Sequence, residues 1–136
     1  MKSIFAFVLI AGLFVAVSCK KDDTTVSNPP QEFQVKADSV KLSKNVIWND
    51  TLRARVWARI GSNTCYQFAR YETTRDSFRA TVKVIGTFTA GNTCGAAIVE
   101  LRSAIYRIYP VYPGKFTLTI QQPGGTTLVD TTTVLP

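Results

Sequence analysis

The chain contains no histidine. Imidazole is the side chain whose ordinary titration range brackets neutral pH, so His-dependent triads, His general bases and His-ligated metal sites are excluded. Cysteine is scarce, with three residues in 136, and that is too few for a Cys-rich zinc site. No glycine-rich phosphate loop follows a strand and opens a helix. Acids are sparse as well. From residue 33 onward they are Asp38, Asp50, Glu72, Asp76, Glu100 and Asp130, and none cluster as paired-carboxylate chemistry requires. These absences argue against an enzyme and call for neither a metal nor a cofactor. No stretch sustains a helical period. Ala96 to Arg102 comes nearest, but Ile98 and Val99 are β-branched and suit a strand better.

What is present starts at the amino terminus. Met1 and Lys2 form a short positive start, and Ile4 to Val17 is an apolar run broken only by Gly12. Small residues then lead into Cys19. This is the tripartite shape of a secretory signal, too short to span a bilayer comfortably. A buried core helix would carry polar residues on one face, and this run has none. Residues 1–18 are therefore expected to be a signal peptide. Ala16-Val17-Ser18-Cys19 resembles the lipobox of bacterial lipoproteins, with Ala in the place usually held by Leu. The resemblance implies that the Cys19 sulfur takes a diacylglycerol and becomes the first mature residue. An ordinary signal followed by a chance cysteine is the alternative. Parity weighs against it, because lipidating Cys19 leaves an even pair, Cys65 and Cys94.

Residues 19–32 read as the lipidated cysteine and a flexible tether: polar, with a Pro-Pro pair and little to bury. The 13 residues from Lys20 to Glu32 reach about 40 Å when fully extended. Lys21-Asp22-Asp23, just behind the cysteine, is similar to the surface-export signal of Bacteroidota lipoproteins. That resemblance implies an outer-membrane lipoprotein facing outward. Residues 33–136 hold 13 Lys and Arg against six Asp and Glu, so they carry the whole net charge of +7. A basic domain outside the cell favours anionic partners. Nucleic acid is electrostatically possible, but the compartment argues against it.

From Phe33 onward, apolar residues alternate with period two and turn residues recur, the pattern of an all-β sandwich. Leu52 to Ile60 alternates cleanly, and Phe78 to Phe88 does so more loosely through Ala80, Val82 and Val84. Phe116, Leu118 and Ile120 share one face of a later run. Pro123-Gly124-Gly125 predicts a turn into a last Thr-rich strand and hence a carboxy-terminal hairpin. The count is about seven strands over residues 33–136, the size of an immunoglobulin-like domain. Tyr112 to Ile120 resembles the penultimate strand of Ig-like modules in bacterial surface proteins. The layout as a whole is similar to small Bacteroidota surface lipoproteins with a single such domain, which implies a fold and no particular function.

Three sets of residues stand out as candidate sites. Cys65 and Cys94 sit in matching Asn-Thr-Cys contexts, and an oxidising compartment favours a structural disulfide over two buried thiols. Arg53, Arg55, Trp57 and Arg59 share the polar face of one strand. A tryptophan among arginines suits stacking on a sugar ring while guanidinium groups fork onto carboxylate or sulfate. A merely solvated strand face, with arginines lying over the ring, is the competing explanation. Finally, five of the six Asp residues precede Ser or Thr. Thr24, Ser39, Thr51 and Thr131 lie in contexts similar to the Bacteroidota O-glycosylation acceptor, although Asp before Ser or Thr is also common turn chemistry.

The expectation is a non-catalytic, membrane-anchored binding or adhesion module with an acidic glycan or an envelope protein as partner. A protease-inhibitor-like Ig module and a structural accessory of an envelope complex are the alternatives.

Overall fold

The computed structural model describes residues 28–136 apart from Asn92 and Pro110. The signal segment, Cys19, Lys21-Asp22-Asp23 and Thr24 lie outside the described residues. Nine strands follow in order: β1 (Gln31–Val35), β2 (Ala37–Leu42), β3 (Val46–Ile47), β4 (Leu52–Gly61), β5 (Tyr66–Arg75), β6 (Arg79–Phe88), β7 (Val99–Ile108), β8 (Gly114–Gln121) and β9 (Thr127–Leu135). They form a sandwich of immunoglobulin-like type. One sheet has the order β1-β6-β8-β9-β3 with β5 also paired to β6, and the other is β2-β4-β7. Most pairings are antiparallel, but β6 runs parallel to β8 and β3 parallel to β9.

The strand count exceeds the expected seven for a physical reason. A single residue, Lys36, separates β1 from β2, and the chain changes sheet there. The two-residue β3 adds one more edge. The folded part also begins two residues earlier than the sequence boundary at Phe33, because Gln31 and Glu32 pair with Phe88 and Thr87. Arg70 fastens that start by bonding the Glu32 carboxylate, and it reaches Glu72 at 2.6 Å.

Alternation builds the core. Leu52, Ala54, Val56, Ala58 and Ile60 of β4 face inward, opposite Ala80, Val82 and Val84 of β6 and Phe116, Leu118 and Ile120 of β8. Phe116 is the largest wholly buried side chain, and its truncation to Ala would cost about 3–5 kcal/mol. The carboxy-terminal hairpin forms as the sequence predicts, with β8 antiparallel to β9. Gly124 and Gly125 take φ of 81° and 88° in its turn, a region that side chains other than glycine seldom enter. Ala96 to Ile98 precede the strand that the sequence predicts there; β7 starts at Val99.

The two long sides of the sandwich close differently. Between β2 and β9 the bonds are side chain to backbone. The Leu42 N–H donates to Asp130 Oδ2 at 2.8 Å, and Thr132 Oγ1 donates to the Ser43 carbonyl at 3.0 Å. Nearby, the Gln122 amide donates to the Ala37 carbonyl and accepts from the Ala37 N–H, both at 2.9 Å. Between β5 and β7, Tyr71 packs on Tyr106 with ring centroids 5.1 Å apart, and Tyr106 Oη donates to Thr73 Oγ1 at 2.8 Å. Bulges interrupt the ladders of both β5 and β7.

Candidate functional site

The register of the three-stranded sheet decides what surrounds Trp57. β4 is the central strand, and its outward positions are Arg53, Arg55, Trp57 and Arg59, with the arginines exposed and the tryptophan half-buried. The alternation in the sequence therefore places all four on one face. Successive outward side chains on a strand stand about 6.7 Å apart, so Arg53 to Arg59 is a stripe about 20 Å long.

The flanking strands extend this face in a way the sequence does not disclose. Lys41 of β2 lies opposite Arg55, and Ser39 opposite Trp57. On the other side, Arg107 of β7 lies opposite Arg53, and Ile105 opposite Arg55. Both flanking strands carry a bulge, at Asp38 in β2 and beside Ser103 in β7, where Ser103 takes φ of 60°. Each bulge moves the inward–outward phase by one residue. Past the bulges, Val40-Lys41-Leu42 and Tyr106-Arg107-Ile108 still alternate, so each run marks its cation as outward. The pairing that sets Lys41 beside Arg55 and Arg107 beside Arg53 is what no single run reveals.

A depression of about 460 Å³ lies on this face, lined by Lys41, Ser43, Arg53, Arg55, Trp57 and Ile105 among others. The side-chain cations of Lys41, Arg53, Arg55, Arg59 and Arg107 make no hydrogen bond or ion pair with the described residues. Arg102 differs, since its Nε donates to Glu100 at 2.9 Å. No described aromatic ring or cation packs on the Trp57 indole. The arginines of the stripe therefore extend into solvent and do not lie over that ring.

Cys65 and Cys94 form a disulfide with Cα atoms 5.3 Å apart, within the usual range. It joins the turn before β5 to the segment before β7, and Thr64 and Gly95 bond across the same place. Gly61 beside it has to be glycine, because a Cβ there would lie 2.0 Å from the Tyr66 ring.

The Asp-Ser/Thr positions separate into local roles. Asp50 and Asp130 each accept the N–H of the next residue, Thr51 at 2.7 Å and Thr131 at 2.8 Å. Asp76 accepts from Phe78 and Arg79, both at 2.8 Å. Turn chemistry therefore occupies the Asp50 and Asp76 carboxylates, Asp130 lies within β9 and also accepts the Leu42 N–H, and Ser39, Thr51 and Thr131 are half-buried.

Among the described residues no group of three or more His, Cys, Asp or Glu could hold a metal ion, and no helix is long and apolar enough to cross a membrane. The chain matches no family model, no curated protein and no solved structure.

Proposed function

We propose that the chain is a membrane-anchored lipoprotein, displayed at the surface of an outer membrane, whose sandwich binds an anionic glycan without catalysis. The observation that carries this reading is the outer face of β2-β4-β7. There Trp57 lines a depression among five cations whose heads are unpaired among the described residues. Like charges held together on one face repel, and an anionic ligand relieves that repulsion. Guanidinium groups fork onto carboxylate or sulfate, and the indole offers a stacking surface for a sugar ring. An acidic envelope protein would answer the same charges, but a tryptophan set within a depression suits a ring better than it suits a protein surface. The lipid anchor rests on the signal pattern and on cysteine parity, since the Cys65–Cys94 bridge leaves Cys19 as the remaining thiol.

Binding of polygalacturonate and dextran sulfate, with neutral dextran as control, tests the face. Trp57→Ala is expected to weaken binding about two- to thirteenfold at every salt concentration, because stacking contributes about 0.5–1.5 kcal/mol. Arg55→Lys keeps the charge and loses the fork, so it weakens binding as well. Added salt weakens all of it, through screening within about 8–10 Å. Melting temperatures stay close to the parent's. A folded Trp57→Ala protein that binds like the parent removes the assignment. For the anchor, Cys19→Ala is expected to leave the protein soluble or uncleaved, and a cleaved variant still in the membrane fraction refutes it. The mass of natively expressed protein should exceed that of the lipidated polypeptide if Thr24, Ser39, Thr51 or Thr131 carries a glycan.

A further inference from the structure

The two ends of the sandwich differ in a way no single loop reveals. At one end β1 begins, Gln31 and Tyr66 both pair with Phe88, and the Cys65–Cys94 bridge lies close by. At the opposite end β4 starts where β7 stops, Leu52 opposite Ile108, and β5 turns into β6, Arg75 opposite Ala80. There too β8 starts where β9 stops, Gly114 opposite Val134. This second end gathers most of the exposed large apolar side chains among the described residues. Trp48 is 49 % exposed, Phe78 47 %, Tyr109 60 % and Tyr112 45 %, with Ile47 and Leu135 beside them. They come from three loops and the end of β9. Direct bonds tie these together: Trp48 N to Leu135 O at 2.8 Å, Thr117 N to Phe78 O at 2.9 Å, and Arg75 Nη1 to Tyr109 O at 3.1 Å.

The charge around this tip is positive. Asp50 and Asp76 turn their carboxylates onto backbone N–H groups. The side chains of Arg79 and Lys115, at the starts of β6 and β8, are exposed and make no ion pair with described residues.

We infer that this tip docks onto an anionic lipid surface, with the aromatic and aliphatic side chains entering the interface and the cations meeting the headgroups. Trp and Tyr favour the headgroup level, Phe, Leu and Ile favour the acyl boundary, and Lys and Arg gain from anionic headgroups. The shape fits the same occupant. The depression at the tip, about 380 Å³ beside Tyr109 and Tyr112, is open. A soft bilayer needs no enclosed pocket, whereas a protein hot spot is built around one. The site is separate from the Trp57 face, so either assignment can fail alone.

The chain has two tryptophans, Trp48 and Trp57, and they make the test internal. Trp57 lies five residues along β4 from the rim, about 17 Å below it. The full chain carrying Trp57→Phe is mixed with vesicles of phosphatidylglycerol and phosphatidylcholine whose acyl chains are brominated. Trp48 emission is expected to shift to the blue and be quenched. In the companion variant Trp48→Phe, Trp57 is expected to keep its emission, even though the amino-terminal segment holds both proteins at the same membrane. Pure phosphatidylcholine should require on the order of tenfold more lipid for the same Trp48 signal. Phe78→Ser with Tyr112→Ser should raise the requirement by a similar factor at an unchanged melting temperature. Equal quenching of the two tryptophans, or none at Trp48, overturns the proposal. So does a Trp48 blue shift that appears only on adding an acidic protein.

Discussion

Where β2 meets β9, the two sheets are joined by side chains that bond directly to backbone groups: Asp130 to Leu42, Thr132 to Ser43, Gln122 to Ala37. Where β5 meets β7, the strands themselves are joined by two tyrosine rings and one hydroxyl pair, with the disulfide and the Thr64–Gly95 bonds before them and the Arg75–Tyr109 bond at their far end. The first joint fixes register, because each bond ties one particular side chain to one particular backbone group, and a buried backbone group left without a partner is costly. The second fixes proximity and leaves room for bulges. Polar chemistry at one side specifies the alignment, and a covalent tie at the other keeps a looser side shut.

The largest expected effect is on the looser side. Cys65→Ser with Cys94→Ser opens a loop of sequence separation 29, which costs about 3.6 kcal/mol by loop entropy. Urea melts should show that loss, and amides of β5 and β7 should exchange well before those of β2 and β9. Equal acceleration on both sides would mean that the two joints are not independent. Next is Gln122→Ala. Gln122 is 4 % exposed, and its removal leaves the Ala37 N–H and carbonyl without partners, for about 2 kcal/mol. Here β2 and β9 should exchange first, and the reverse order would contradict the argument.

Tyr71→Phe should cost almost nothing and is the matching test of the looser side, since the Tyr71 hydroxyl is buried without a hydrogen-bond partner among the described residues. Burial raises its pKa above the usual tyrosine value of 10.0. A raised folded-state pKa gives stability that is whole below the unfolded value and lost as pH climbs towards the folded one. The parent should therefore lose stability above about pH 10, and Tyr71→Phe should lose less. The smallest effect concerns Glu32, whose bond to Arg70 lowers its pKa below 4.5. Its contribution is present above that value and disappears as pH falls through the lower folded one. Glu32→Gln should flatten this acid limb slightly in melts taken across about pH 2–5, the range in which carboxylates titrate.

Legibility in the sequence followed one-sidedness. β4, β6 and β8 each bury one face, so Leu52 to Ile60, Ala80 to Val84 and Phe116 to Ile120 announce themselves by period two. β5 exposes nearly all of Tyr66 to Arg75, and with no buried face it leaves no period. The Cys65–Cys94 bridge was legible from compartment and parity. The Trp57 stripe was legible on its own strand, but its extension by Lys41 and Arg107 was not, because only strand pairing sets them beside Arg55 and Arg53. The aromatic tip was least legible of all. Trp48, Phe78, Tyr109 and Tyr112 are far apart in sequence, and only strand pairing brings their loops to one end.

The division of the first strand at Lys36 also has a mechanical meaning. β1 and β2 both run from the end where the chain enters towards the tip, yet each is bonded into a different sheet. A pull on Gln31 against a load held at the tip acts along both strands, so their ladder bonds are strained together in shear and do not open one after another. The load also divides between the two sheets. Forced unfolding is governed by the unfolding rate, and this geometry should make that rate slow for a pull from the amino terminus. Pulling instead across the β8–β9 hairpin, from Gly114 and Leu135, would peel bonds singly. Single-molecule extension along the two axes should give a markedly higher rupture force for the first.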